Sequence, residues 1–241
     1  MKRVILYCAV AFTILSCTVK TKSTKTKEEV KKIPQNKMGK AIDNNLPTIG
    51  ILIFEGVIIN EVVAPLDVFS SADTKGIALF NVILIATEDK TYHSAHGLKV
   101  IPDYTISNVP KLKVLVVPSS YNPEDQTKDL ELINFIKEQN KEADYIASHC
   151  AGAWLIGEAG IADNKEIVTY VTGGEYLKAD YPNLKVADDS KVFVVQDGKF
   201  ISSNGSLVSY LASFDLLEKL TSKEHREFVE TSILFDRIKE K

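Results

Sequence analysis

Three short runs in this 241-residue sequence are apolar at consecutive positions rather than at alternate ones: Thr48–Phe54, Phe80–Ala86 and Lys113–Pro118. A fourth strand-like segment, Asp144–His149, follows them. A strand with water on one face alternates apolar and polar residues, so a run without alternation is covered on both faces. Between these runs lie segments with apolar residues at helical spacing: Asn60–Asp73 (Val62, Leu66, Phe69), Asp125–Glu142 (Leu130, Ile133, Ile136) and Ala151–Ala159. Buried strands that alternate with helices make a mainly parallel sheet, because parallel neighbours need a helix-length crossover. The chain is therefore expected to be an α/β protein, a doubly wound sheet sandwiched by helices. Asp197-Gly198, between Val192–Gln196 and Lys199–Ser202, predicts a hairpin with a tight turn. Thr91–Ile101 reads as an excursion around Gly97, and Leu207–Leu220 and Lys223–Ile238 as two closing helices.

Residues 1–47 do not belong to this pattern. Lys2-Arg3 precedes an apolar run, Val4–Leu15, that is too short to span a bilayer and suits the core of a signal peptide. The run ends in Ile14-Leu15-Ser16-Cys17, which resembles a bacterial lipobox. The resemblance implies cleavage before Cys17 and lipidation of its thiol, hence a membrane-anchored, extracytoplasmic lipoprotein. Thr18–Pro47 is poor in apolar residues and rich in Lys and Thr, so it cannot bury enough surface to offset ordering and reads as a tether. The expected organisation is thus leader 1–16, lipidated Cys17 and tether 17–47, and one domain 48–241. The net charge of −3 divides unevenly: eight Lys stand against Glu28, Glu29 and Asp43 in residues 18–46, and residues 47–241 carry −10. An acidic body argues against nucleic acid as a partner.

Only Cys8, Cys17 and Cys150 are present. With Cys8 removed and Cys17 acylated, Cys150 stands alone and no internal disulfide is expected. It lies in Ser148-His149-Cys150-Ala151-Gly152, where a strand ends and a helix begins at once. Small residues two before and two after the nucleophile are the mark of a nucleophile elbow, whose strained turn leaves no room for larger ones. The elbow aims the sulfur out at the carboxyl edge of the sheet, where open α/β sheets bind ligands. It also sets the sulfur at a helix N-terminus, which favours thiolate over thiol. No His/Cys/Asp/Glu grouping has metal-site spacing and no phosphate-binding glycine loop is present, so neither a metal nor another cofactor is expected.

The elbow, together with GVIINEVVAPLDVF (56–69), GLKVIPDYT (97–105), KLKVLVVPSS (111–120) and DGKFISSNG (197–205), resembles the ThiJ/PfpI superfamily. Its fold is the flavodoxin-like one of class I glutamine amidotransferases. The sequence is most similar to the isonitrile hydratase-like members and to the N-terminal domains of AraC-type regulators. The resemblance covers about residues 48–222. It implies that Glu61, four before Pro65, leans on Cys150 and exchanges a proton with it. It implies oxyanion donors from the backbone N–H groups of Ala151 and of Ser119 and Ser120, the last two standing where the family has Gly-Gly. Many members carry a His about twenty residues after the Cys; here Tyr170 occupies that place. Isonitrile hydratase-like members tend to have Thr directly after the Cys; here it is Ala151.

Two functions follow. In the first, Cys150 attacks a small electrophile of the isonitrile, carbonyl or amide class while Glu61 shuttles the proton, a hydrolase or hydratase/lyase. In the second, the domain is a non-catalytic module that binds a small ligand or senses oxidants through Cys150. His149 precedes Cys150, but adjacent strand residues face opposite ways, so its contact with the sulfur is the less favoured arrangement. His93 and His96 fall in the surface excursion, His225 on the last helix, and Trp154 in the core. The resemblance also implies a homodimer, for which the amphipathic segment 223–241 (Phe228, Ile233-Leu234, Ile238) offers either an interface or packing against its own domain.

Overall fold

A computed structural model of the chain describes residues 40–239. The expected leader, Cys17 and the expected tether as far as residue 39 lie outside the described residues. The chain runs β1 (Thr48–Leu52), α1 (Asn60–Ser70), β2 (Asn81–Ala86), β3 (Tyr92–His93), β4 (Lys99–Val100), β5 (Tyr104–Thr105) and β6 (Val114–Val117). It continues through α2 (Pro123–Thr127), α3 (Leu130–Glu142), β7 (Tyr145–His149), α4 (Gly152–Glu158), β8 (Glu166–Ile167), α5 (Gly174–Asp180) and β9 (Lys185–Val186). It closes with β10 (Val194–Asp197), β11 (Phe200–Ser203), α6 (Val208–Leu220), α7 (Lys223–Ser232) and α8 (Asp236–Lys239).

Seven strands form one sheet in the order β10-β11-β7-β6-β1-β2-β5. Every pairing is parallel except β10 with β11, the expected hairpin about Asp197-Gly198. The excursion is a two-stranded antiparallel ladder, β3 with β4, and β8 pairs with β9 in parallel. All five residues of β1 and all four of β6 are buried, which is why their sequences do not alternate. Helix α1 packs with α6 and against β1 and β2, whereas α4 packs with α2 and α3 and against β6 and β7. From β1 the chain adds β2 on one side and later β6 and β7 on the other. That reversal is the switch point at which the connections after parallel strands diverge and leave a crevice.

The structure departs from the sequence reading where a local cap intervenes. The helix expected over 125–142 is two, because the Asp129 side chain accepts from the Glu131 and Leu132 N–H groups and starts α3 afresh. The last helix breaks at Leu234, whose φ is 63°, and resumes as α8. Residues 40–47, expected as the end of the tether, lie against the sheet. Lys40 Nζ donates to Val82 O (3.0 Å), Tyr104 Oη to Lys40 O (2.6 Å), and the Asn81 amide to the carbonyls of Asp43 and Leu46.

Candidate active site

Cys150 stands between the last residue of β7 and the first turn of α4, with a φ of 53°. A side chain in this left-handed region costs about 1–2 kcal/mol, so the surroundings must hold it there. They do so through both of its backbone polar groups. The Cys150 N–H donates to Ser203 O (2.9 Å), and its carbonyl accepts from Thr169 Oγ1 (2.8 Å) and from the Ala153 N–H (3.3 Å). The need for a small residue two places on has a direct cause. A Cβ on Gly152 would lie 2.3 Å from Val117 O, because the head of α4 rests on the end of β6.

Glu61 sits in the first turn of α1 and is 0 % exposed. Its carboxyl accepts from the Ser119 N–H through Oε2 (2.7 Å) and from the Ser206 N–H through Oε1 (3.2 Å). Burial raises its pKa; the Ser119 hydroxyl, those two N–H groups and the Cys150 thiol oppose the rise without cancelling it. Burial also acts on the thiol. With the charge on Glu61 as the second cause, it pushes Cys150 up to about 11, against the opposing pull of the Ser119 hydroxyl and the Ala151 N–H. This corrects the expectation of a free thiolate. The helix head does supply an N–H to the sulfur, but loss of water around a half-buried thiol beside a carboxylate outweighs it.

The two shifts describe one pair. Burial disfavours charge on Glu61, and charge on Glu61 is what disfavours charge on Cys150. If the proton sits on Glu61, the repulsion is gone and the carboxyl has a donor to offer the sulfur. Thiol with carboxylate and thiolate with carboxylic acid carry the same single negative charge, so the proton belongs to the pair.

The oxyanion donors are distributed differently from the expectation. The Ser119 N–H is taken by Glu61, so it does not face a ligand. Ala151 N–H points at the sulfur. The Ser120 N–H has no acceptor among the described residues, while the Ser120 hydroxyl is tied to Gln126 Oε1. Of the expected donors, Ala151 is thus engaged on the sulfur and Ser120 alone is left without an acceptor among the described residues.

The motif DGKFISSNG (197–205), which carried the resemblance without an assigned role, ends in a segment packed against the site. Gly205, two residues past the end of β11, has a φ of +85°, and a Cβ there would lie 2.3 Å from Cys150 Cβ and 2.4 Å from Glu61 Oε1. Its N–H donates to Ser203 Oγ (3.2 Å), which also bonds His149 Nδ1 (2.8 Å). His149 and Ser203 are register partners on β7 and β11, so their side chains share a face of the sheet. His149 thus serves the site through Ser203 and Gly205 and makes no hydrogen bond to the sulfur. The resemblance motif 197–205 included both Ser203 and Gly205, but nothing local in it showed that they reach His149, Cys150 and Glu61.

His149 is 1 % exposed, and burial lowers its pKa to about 3. The folded state excludes a proton that the unfolded chain binds near 6.5, so this stability is present above pH 6.5 and lost as pH falls from there toward 3. At about 1.4 kcal/mol per pH unit, wild type should lose about 2–3 kcal/mol more than His149→Gln between pH 7 and 4.5. Urea unfolding of both proteins at the two pH values measures it; parallel losses would show that His149 is not held neutral.

Tyr170, in place of the expected His, stacks on Trp154 with ring centroids 5.7 Å apart and an interplanar angle of 17°. Trp154 is buried and its indole N–H donates to Asp180 Oδ2 (2.8 Å). Tyr170 is near enough to Cys150 for a charge on the sulfur to raise its pKa, after burial as the larger cause. It is thus a stacked aromatic ring beside the elbow helix. The remaining histidines lie elsewhere: His93 pairs with Glu55 (3.3 Å), His96 bonds the Tyr121 hydroxyl (3.3 Å), and His225 stacks on Phe228. His225 is partly buried, with its Nε2 unpartnered. Among the described residues no group of three His, Cys, Asp or Glu could hold a metal ion.

A strained cysteine at the head of a helix, a buried glutamate from the first helix, and both at the carboxyl edge of a parallel sheet agree with one family. Residues 47–219 match the DJ-1/PfpI family. The chain belongs to it. Among its relatives is an isonitrile hydratase of Pseudomonas putida, 26 % identical over 185 residues, which are 77 % of each chain. Among solved structures, a ThiJ/PfpI family protein from Pseudomonas syringae superposes with a TM-score of 0.70 at 21 % identity, covering 79 % of this chain and 76 % of that one. An AraC family transcriptional regulator from Pseudomonas putida gives 0.65 at 16 %, covering 78 % and 99 %. These DJ-1/PfpI likenesses in structure bear out the flavodoxin-like sheet flanked by helices.

Proposed function

We propose that the chain is an enzyme that adds water to a small electrophile through Cys150, with an isonitrile as the first substrate class to test. The reading is carried by one observation: the Cys150 sulfur and the buried Glu61 carboxyl form a pair closed in by Gly205, Ser119 and Ala151. The similarity to a protein named isonitrile hydratase supports the choice of substrate.

The chemistry balances with these two groups and one water. The S–H bond breaks and its proton moves to Glu61, while sulfur bonds to the isonitrile carbon. Glu61 returns the proton to that carbon, leaving a thioimidate, R–N=CH–S–Cys. Water adds to the same carbon as Glu61 takes one of its protons and passes it to the nitrogen, giving R–NH–CH(OH)–S–Cys. The C–S bond then breaks as the adduct's hydroxyl proton passes through Glu61 to the Cys150 sulfur, and the product is the N-substituted formamide, R–NH–CHO. In this reading the Ala151 and Ser120 N–H groups are the donors to charge that develops as water adds. Carbonyl and amide substrates would use the same pair.

The second reading, a small-molecule or redox-sensing module without turnover, is favoured by Tyr170 in the place of a base and by a thiol held high. The discriminating experiment incubates the purified protein with a panel of alkyl and aryl isonitriles and follows formamide by chromatography. Formation of product that stops in Cys150→Ala supports the enzyme. Stoichiometric binding of panel members without product supports the module.

A further inference from the structure

Ser119 offers more than the backbone group already described. It is 0 % exposed at the end of β6, its carbonyl accepts from the Ile58 N–H (2.8 Å) and its own N–H is spent on Glu61. Its chain neighbours Val117 and Pro118 carry the head of α4, so the residue is wedged between the helix that holds Glu61 and the turn that holds Cys150. The Ser119 hydroxyl is buried without a hydrogen-bond partner of ordinary geometry. Buried hydroxyls are normally satisfied, and an exception needs a reason. Here the reason lies beside it: the hydroxyl is within reach of both the Glu61 carboxyl and the Cys150 thiol, lowering the pKa of each, yet is aligned with neither. Catalytic hydrogen bonds are often poorly aligned at rest and tighten only when charge forms.

We propose that the Ser119 hydroxyl is a third, side-chain member of the site, which rotates onto the Cys150 sulfur and donates to it when the thiol proton passes to Glu61. The inference rests on the Cys150–Glu61 reading and deepens it. A hydroxyl has one proton and a free torsion, so it can follow the charge from carboxylate to thiolate at no cost in backbone movement. The resemblance expects glycine at this position, which can supply only a backbone donor. Serine in its place gives this chain a side-chain donor to the sulfur.

The test is the rate of Cys150 alkylation by iodoacetamide as a function of pH, on the full chain. Ser119→Ala removes one oxygen and introduces no atom that could clash. It should react about tenfold more slowly at pH 8, with its profile displaced upward by about one pH unit, since each unit is a factor of ten in thiolate. Ultraviolet absorbance of the thiolate should move with it. Ser119→Gly, which restores the glycine the resemblance expects, should give the same displacement and replaces the alanine variant if that one does not fold. A serine that only fills space would leave the profile in place: profiles of both variants that superpose on wild type overturn the proposal. If those superpose while Glu61→Gln still alters the profile, the serine role alone fails. If Glu61→Gln superposes as well, the pair itself fails.

Discussion

Cys150→Ala is expected to abolish isonitrile hydration, by at least about 10³-fold, while leaving the fold intact. The size follows from removing the only atom that bonds to substrate; what remains is binding and polar stabilisation without a covalent route. Stability is expected to hold because alanine occupies the same left-handed turn, and the three backbone hydrogen bonds that fix Cys150 do not involve its side chain. Glu61 keeps its two backbone donors from Ser119 and Ser206, so the thermal midpoint should stay close to that of wild type. The check is formamide production alongside thermal unfolding. A folded Cys150→Ala protein that still turns over would end the covalent mechanism.

Gly205→Ala should be the most destabilising single change at the site, by about 3 kcal/mol or more. The added carbon would meet Cys150 Cβ at 2.3 Å and Glu61 Oε1 at 2.4 Å, and no flexible side-chain end is free to yield. It would also sit at a φ of +85°, where a side chain is strained in any space. Overpacking alone typically costs about 1–3 kcal/mol, and the backbone strain adds to it. The displaced loop would carry Ser206 off Glu61 and Ser203 off the Cys150 N–H. Urea denaturation measures the loss; an unfolding midpoint equal to that of wild type would show that this loop is not where the structure puts it.

What the sequence disclosed and what it hid divide along physical lines. β1, β2 and β6 were legible because burial on both faces writes itself into consecutive residues, as in Ile49-Gly50-Ile51-Leu52. The elbow was legible because it is local: Ser148, Cys150 and Gly152 meet within five residues, and the clash Gly152 avoids is with the adjacent strand. Glu61 was reached only through the resemblance, since its contact with Ser206 spans 145 residues. The bond of His149 to Ser203 depends on the register of β7 on β11, which no local pattern encodes. The thiol was misjudged for a related reason. Its position at a helix head is a local property, but the burial and the carboxylate that push it up come from α1 and the loop after β11. The split of the helix over 125–142 was local and readable, as Asp129 ahead of Leu130-Glu131-Leu132 is a strong N-cap.

The central claim is that Cys150 and Glu61 share one proton. The most direct test is the pH dependence of Cys150 alkylation in wild type and Glu61→Gln. A shared proton predicts two steps in wild type, the first as the pair loses one proton and the second, displaced toward about 11, as the remaining group ionises beside the first charge. Glutamine cannot ionise, so Glu61→Gln should show a single step below the upper one of wild type. One and the same single-step curve for both proteins would contradict the account.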